Sequence, residues 1–264
     1  MSREQALLLG EQHPRFDHFE VVTQAGGRSA CTLCAGSAAT PCKDLGDSPN
    51  EDALLVIDEG ARTLLAVADA HYGPRASHEL LERLALAADP LPTGPLALLE
   101  LLPGLADVPA GPAQAAEDES SRDPSETTLL VALLDRADWS GFGVSMGDST
   151  LLVLGLEEPP RTINRKDSAY AQACSPDSLD PRRARDFSFD MRPGELLLAF
   201  TDGVDECHYR SPQTSVQLHH MESLHIRTGG GPAALVRELT RLALAGVGGN
   251  PGGQDNIAVI ATRA

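Results

Sequence analysis

The chain has 264 residues, 42% of them hydrophobic and 22% charged, which is enough apolar material for one sizeable core but includes no run near the roughly 18 residues of a membrane span. Asp plus Glu number 38 against 21 Lys plus Arg, and the formal net charge of -17 repels nucleic acid and anionic membrane surfaces. A short apolar stretch at residues 6–9 is broken at once by Gly10, Glu11, Gln12 and His13, so no secretory signal is expected and the cytoplasm is the expected location.

A first strand is predicted over residues 19–23. Residues 26–45 then read as an inserted loop carrying Cys31, Cys34 and Cys42. Those thiolates could serve zinc, but no second pair of matching spacing accompanies them, and reduced loop thiols are the simpler expectation. Strands follow over 52–57 and 63–68, and the turn Asp58-Glu59-Gly60 between them predicts an antiparallel hairpin. From Pro74 to Ala88 the residues Ala76, Leu80, Leu81 and Leu84 share a helical face, and residues 96–102 add a second helix antiparallel to it. Residues 104–125 turn to Ala, Pro, Gly and acidic side chains, the composition of an irregular exposed loop.

Strands are next predicted over 127–134, 141–146 and 150–154. Residues 165–190 are polar and irregular, either flanking a site or simply facing solvent. After a strand at 195–200, His208, His219, His220 and His225 lie in a polar segment and are expected to be exposed. Leu235, Leu239 and Leu242 mark a helix opened by Pro232 and capped by Gly246, and a last strand spans 256–261. Strands in the middle with helices at their flanks predict an α+β fold, a four-layer α/β/β/α sandwich forming a single domain over 1–264.

Acidic residues recur at the ends of these strands. Asn50-Glu51-Asp52 precedes one, Asp69-Ala70-His71 follows another, Asp202-Gly203 follows a third, and Gln254-Asp255-Asn256 precedes the last. Gly147-Asp148-Ser149 lies between two more. Carboxylates converging from strand ends suit hard cations such as Mg²⁺ and Mn²⁺, which take oxygen ligands.

This ordered set resembles the motifs of the PPM (type 2C) family of metal-dependent serine/threonine phosphatases. Ala66-Val67-Ala68-Asp69-Ala70-His71-Tyr72-Gly73 is similar to the family's Asp-Gly-His-Gly-Gly segment, Gly147-Asp148-Ser149 to its Gly-Asp-Ser, and Phe200-Thr201-Asp202-Gly203 to its Ser-Asp-Gly. Thr127-Thr128-Leu129 resembles its central strand opening and Gly253-Gln254-Asp255-Asn256-Ile257 its terminal strand. The resemblance implies two antiparallel sheets flanked by helices and a centre of two Mn²⁺ or Mg²⁺ ions that activate a water against a phosphate ester. It implies that Asp69 bridges the ions, with Asp202 and Asp255 on one and Glu51 plus the Ala70 carbonyl oxygen on the other, Asp52 supporting them. Asp148, with Asp202, matches the position of a third, weaker ion. His71 would protonate the departing oxygen.

A phosphoprotein substrate follows, with a serine/threonine kinase or its target as partner; nucleic acid and membrane are not expected. Two departures stand out. Ala70 replaces the glycine usual after the bridging aspartate, and Asp47 stands about where a phosphate-binding arginine is expected, leaving Arg28 or Lys43 as substitutes. These departures motivate the alternative of a weak or non-catalytic binding module with the same fold.

Overall fold

The computed structural model describes residues 3–40, 49–106, 125–172, 179–209 and 211–264. Its strands in chain order are β1 (Glu4–Leu9), β2 (Val22–Gln24), β3 (Ser29–Cys34), β4 (Ala53–Asp58), β5 (Arg62–Ala68), β6 (Ala70–His71), β7 (Glu126–Thr127), β8 (Leu129–Asp135), β9 (Ser140–Met146), β10 (Thr150–Leu154), β11 (Arg161–Thr162), β12 (Ala171–Gln172), β13 (Arg185–Asp190), β14 (Leu196–Phe200) and β15 (Ile257–Arg263). The helices are α1 (Arg75–Ala87), α2 (Pro95–Ala106), α3 (Asp202–Asp205), α4 (Leu218–Arg227) and α5 (Pro232–Ala245).

Two six-stranded sheets form, in the orders β1-β4-β5-β8-β9-β13 and β11-β10-β14-β15-β3-β2, with a small third sheet β12-β7-β6. All pairings are antiparallel, including the predicted β4–β5 hairpin. The central strands are apolar on both faces because both are covered. Leu55, Ile57, Leu64 and Ala66 meet Leu80, Leu81 and Leu84 of α1 and Leu98 and Leu102 of α2. Their neighbours Leu54, Val56, Leu65 and Val67 face Leu197, Ala199, Ala258 and Ile260 of the other sheet. Leu235, Val236 and Leu239 of α5 cover the far side of that second sheet. Each fully buried aliphatic side chain contributes about 1.5–3 kcal/mol relative to exposure, so this alternation specifies the layering and the register together.

Several expectations change. The segment 26–45 is not a loop throughout: β3 runs through it and is hydrogen-bonded between β15 and β2. Cys31 packs between the sheets and Cys34 toward the helices, on opposite faces of one strand, so they cannot share a zinc ion. Burial raises the Cys31 thiol to about 12 and the Cys34 thiol to about 11, which suits packing rather than ligation. Cys42 lies outside the described residues.

The strand expected at 19–23 is the shorter β2, and β1 and β13 were not expected at all. Both are sheet edges, where one flank of the backbone is unpaired and the side chains are mostly exposed or half-buried. Residues 218–227, expected to be exposed, form α4, with Met221, Leu224 and His225 buried at helical spacing. Of the loop expected at 104–125, residues 104–106 complete α2 and 107–124 lie outside the described residues. No helix among the described residues is long and apolar enough to cross a membrane.

Candidate metal centre

Antiparallel pairing brings opposite strand ends level at one end of the sandwich. Ala53 at the start of β4 pairs with Ala68 at the end of β5, and Phe200 at the end of β14 pairs with Val259 near the start of β15. Asp52, Asp69, Asp202 and Asp255 therefore emerge at the same end, and the β9–β10 turn adds Asp148.

Asp69, Asp148 and Asp202 each offer a carboxylate oxygen, and these oxygens lie within 4.8 Å of one another. Asp69 and Asp202 are buried and Asp148 is half-buried. Burial first, and then the charges of Asp69, Asp255 and Asp148, push the Asp202 carboxyl well above the usual carboxylate range. Asp148 rises to about 6, by burial and the charge of Asp69, against the opposing pull of Lys166. Oδ1 of Asp148 and Oδ1 of Asp202 are buried without a hydrogen-bond partner among the described residues. Hard oxygen donors that are close, buried, mutually repelling and incompletely satisfied suit a divalent cation, whose charge would reverse the repulsion.

The other expected residues stand around this trio. Asp52 Oδ2 accepts a 2.7 Å hydrogen bond from Thr201, the residue before Asp202. Glu51 Oε1 accepts one of 2.7 Å from the Gly73 amide. Asn256 holds the Glu51 strand end to β15, accepting from the Glu51 amide at 2.7 Å and donating to the Pro49 carbonyl at 2.7 Å. Thr127 donates to the Asp69 carbonyl, while Thr128 accepts from the Asp69 amide and meets Ser149 beside Asp148. The supporting roles of Thr201, Asn256 and the two threonines follow from contacts across the sheets, although each stands next to an acidic motif in the sequence.

Ala70 sits in β6, paired with Thr127 of β7. The positive φ angles of its stretch fall on Tyr72 (64°) and Gly73 (114°), so the missing glycine at 70 is not a backbone defect. His71 Nδ1 lies 3.8 Å from Asp69 Oδ1, and its ring packs against Tyr170 with centroids 5.4 Å apart. Tyr170 and Tyr209 were not anticipated. Burial and the surrounding aspartates raise both phenols above their ordinary value, and Tyr209 also hydrogen-bonds Asp255. Together with the exposed Tyr72, all 3 tyrosines of the chain lie at this end.

Arg28 is not available as a substitute cation here. It precedes β3 at the far end of that strand and donates to the buried Asp58 at 3.0 Å, at the opposite end of the sandwich. Lys43 and Asp47 lie outside the described residues.

Gly203 ties the Asp202 segment to β15: a Cβ there would lie 1.8 Å from the Asn256 carbonyl oxygen. Gly203→Ala is expected to destabilise the protein by at least about 1–3 kcal/mol, the usual cost of overpacking, and to move Asp202 away from Asp255. Thermal melts of the variant and the wild type check this; equal melting temperatures would show that the 1.8 Å contact is relieved without cost.

No family model matches the sequence, and no curated protein does. Solved structures do. RsbX in complex with magnesium superposes with a TM-score of 0.59 at 11% identity, covering 93% of this chain and 100% of that one. The catalytic domain of the serine/threonine phosphatase PstP with two manganese ions gives 0.58 at 21% identity, over 89% and 97%. The PPM Ser-Thr phosphatase MsPP from Mycobacterium smegmatis, in complex with cacodylate, gives 0.58 at 19%, over 89% and 97%. With two antiparallel sheets, flanking helices and near-complete coverage of these neighbours, the chain has the fold of the PPM-type serine/threonine phosphatases.

Proposed function

We propose that the protein is a metal-dependent serine/threonine protein phosphatase, a hydrolase of phosphoserine and phosphothreonine esters. The observation that carries this is the trio of buried Asp69 and Asp202 with half-buried Asp148, gathered within 4.8 Å at one end of a PPM fold. Asp69, Asp202, Asp255, Glu51 and the Ala70 carbonyl would hold two Mn²⁺ or Mg²⁺ ions, with Asp52 in support and Asp148 serving a third. When bound, such ions supply an acidified water and offset charge on the phosphoryl oxygens.

The chain's own residues do the rest. Asn256 and Thr201 keep the two strand ends together, so the carboxylates meet the ions already oriented. His71, half-buried beside Asp69 and under Tyr170, is placed to hand a proton to the leaving serine or threonine oxygen. Tyr72, exposed beside His71, offers a face to the flanking peptide. The substrate is a phosphoprotein, with a serine/threonine kinase or its target as partner, in the cytoplasm.

Phosphate release from a phosphothreonine peptide in millimolar Mn²⁺, with and without a chelator, tests the proposal. Release that the chelator stops is expected; none under any divalent ion would overturn it. The second reading, a non-catalytic module, is favoured only by the engagement of Arg28 with Asp58, which leaves phosphate binding without that arginine. Metal-dependent turnover lost in an Asp255→Asn variant would eliminate it.

A further inference from the structure

Residues 165–172, part of the segment 165–190 expected either to flank a site or to face solvent, are fastened to the turn that carries Asp148. The Asp167 amide donates to the Gly147 carbonyl at 2.9 Å, and the Gly147 amide donates back to Asp167 Oδ1 at 3.0 Å. Asp167 is held from outside by Arg185, whose Nε lies 2.5 Å from its Oδ2. This reciprocal pairing puts Lys166 opposite the turn that carries Asp148. The Lys166 Nζ reaches Asp205 at 3.0 Å and Glu206 at 3.6 Å. Asp205 ends the short helix that Asp202 begins, and Glu206 caps it.

The ammonium group thus lies on the Asp202 helix side of the centre, on the strap paired with the Asp148 turn, and its charge opposes the rise that burial imposes on Asp148. Burial works against that charge, but Asp205, Glu206 and Asp148 outweigh it and hold the lysine above its ordinary pKa, so it stays protonated at neutral pH. A permanent cation at this position competes with any divalent ion that would use Asp148.

Building on the divalent-cation reading of the centre, we propose that Lys166 is its resident cation: it neutralises the Asp148 side, weakens the outermost divalent site on Asp148 and Asp202, and so confines tight binding to the Asp69, Asp202 and Asp255 side. Lys166 is a positioning residue, acting through its field on the carboxylates and not on the reacting atoms.

Mn²⁺ titration by calorimetry of the purified wild-type chain, Lys166→Gln, Lys166→Arg and the double variant Lys166→Gln/Asp148→Asn tests this. Lys166→Gln is expected to tighten the weakest Mn²⁺ phase by about tenfold, within the range usual for coupling between neighbouring sites, or to add a phase the wild type lacks. Lys166→Arg keeps the charge and should match the wild type, and the double variant should lose the gain. A purely structural lysine would instead lower the melting temperature of the metal-free protein and leave the isotherm unchanged. Wild-type and Lys166→Gln isotherms that coincide, with Mn²⁺ binding intact in both, overturn the proposal while the phosphatase reading stands. A wild-type chain that binds no Mn²⁺ overturns the cation centre itself, and this proposal with it.

Discussion

Asp202→Asn is expected to lower metal-dependent phosphate release by about 10³-fold, because cation stabilisation of the phosphoryl charge is worth several kcal/mol at tenfold per 1.36 kcal/mol. The same substitution is expected to raise the melting temperature of the chelator-treated protein. In the absence of cations Asp202 is buried against Asp69, Asp255 and Asp148, all of one sign, and Asn removes a charge while keeping the shape. Gain of stability with loss of turnover is the signature of a site built for a ligand rather than for the fold.

The pH dependence follows the same repulsion. A carboxyl whose folded pKa lies above its unfolded value binds more protons in the native state, so its penalty is complete above the folded pKa and fades as pH falls toward the ordinary value. For Asp148 that window runs from about 6 down to 3.8. The metal-free wild type should therefore melt higher near pH 5 than near pH 7, and the difference should shrink in Asp202→Asn. Melting curves in a chelator at the two pH values check it; an identical pH slope in the variant would count against the repulsion.

Replacing His71 by Ala is expected to cost about 10²- to 10⁴-fold on a phosphothreonine peptide, the usual worth of a positioned general acid. The loss should be much smaller on p-nitrophenyl phosphate, whose leaving phenolate needs no proton. The proposed donor is the half-buried imidazole beside Asp69 and against Tyr170, whereas three other histidines are engaged elsewhere. His220 completes the cap of α4, His208 bonds Thr214, and His78 accepts from the Gly10 amide at 3.0 Å. Equal losses on both substrates would make His71 a holder of Asp69 and not a proton donor.

The strands that carry the acidic residues were legible because each is a continuous apolar run interrupted by a carboxylate, a pattern set by neighbours in the chain. The Asp58-Glu59-Gly60 turn, and the helices opened by Pro74 and Pro232, were legible for the same local reason. β3 was not: Ser29, Ala30, Cys31, Thr32, Leu33 and Cys34 are mostly small and weakly apolar, and only closure between β15 and β2 buries all six. β1 and β13 are edges whose side chains answer partly to solvent, and three histidines hid the narrow buried stripe of α4.

The order of acids along the chain, their attachment to strand ends and the negative charge of the whole are properties of the sequence alone. Which carboxylates meet, that Asp69, Asp148 and Asp202 come within 4.8 Å while Glu51 turns to the Gly73 amide, and that Lys166 reaches Asp205 and Tyr170 packs on His71, belong to the tertiary structure. The reason is physical: periodicity reports what each residue does to its own strand or helix, whereas the field at a buried carboxylate is a sum over charges that only the packing of two sheets brings within a few ångströms.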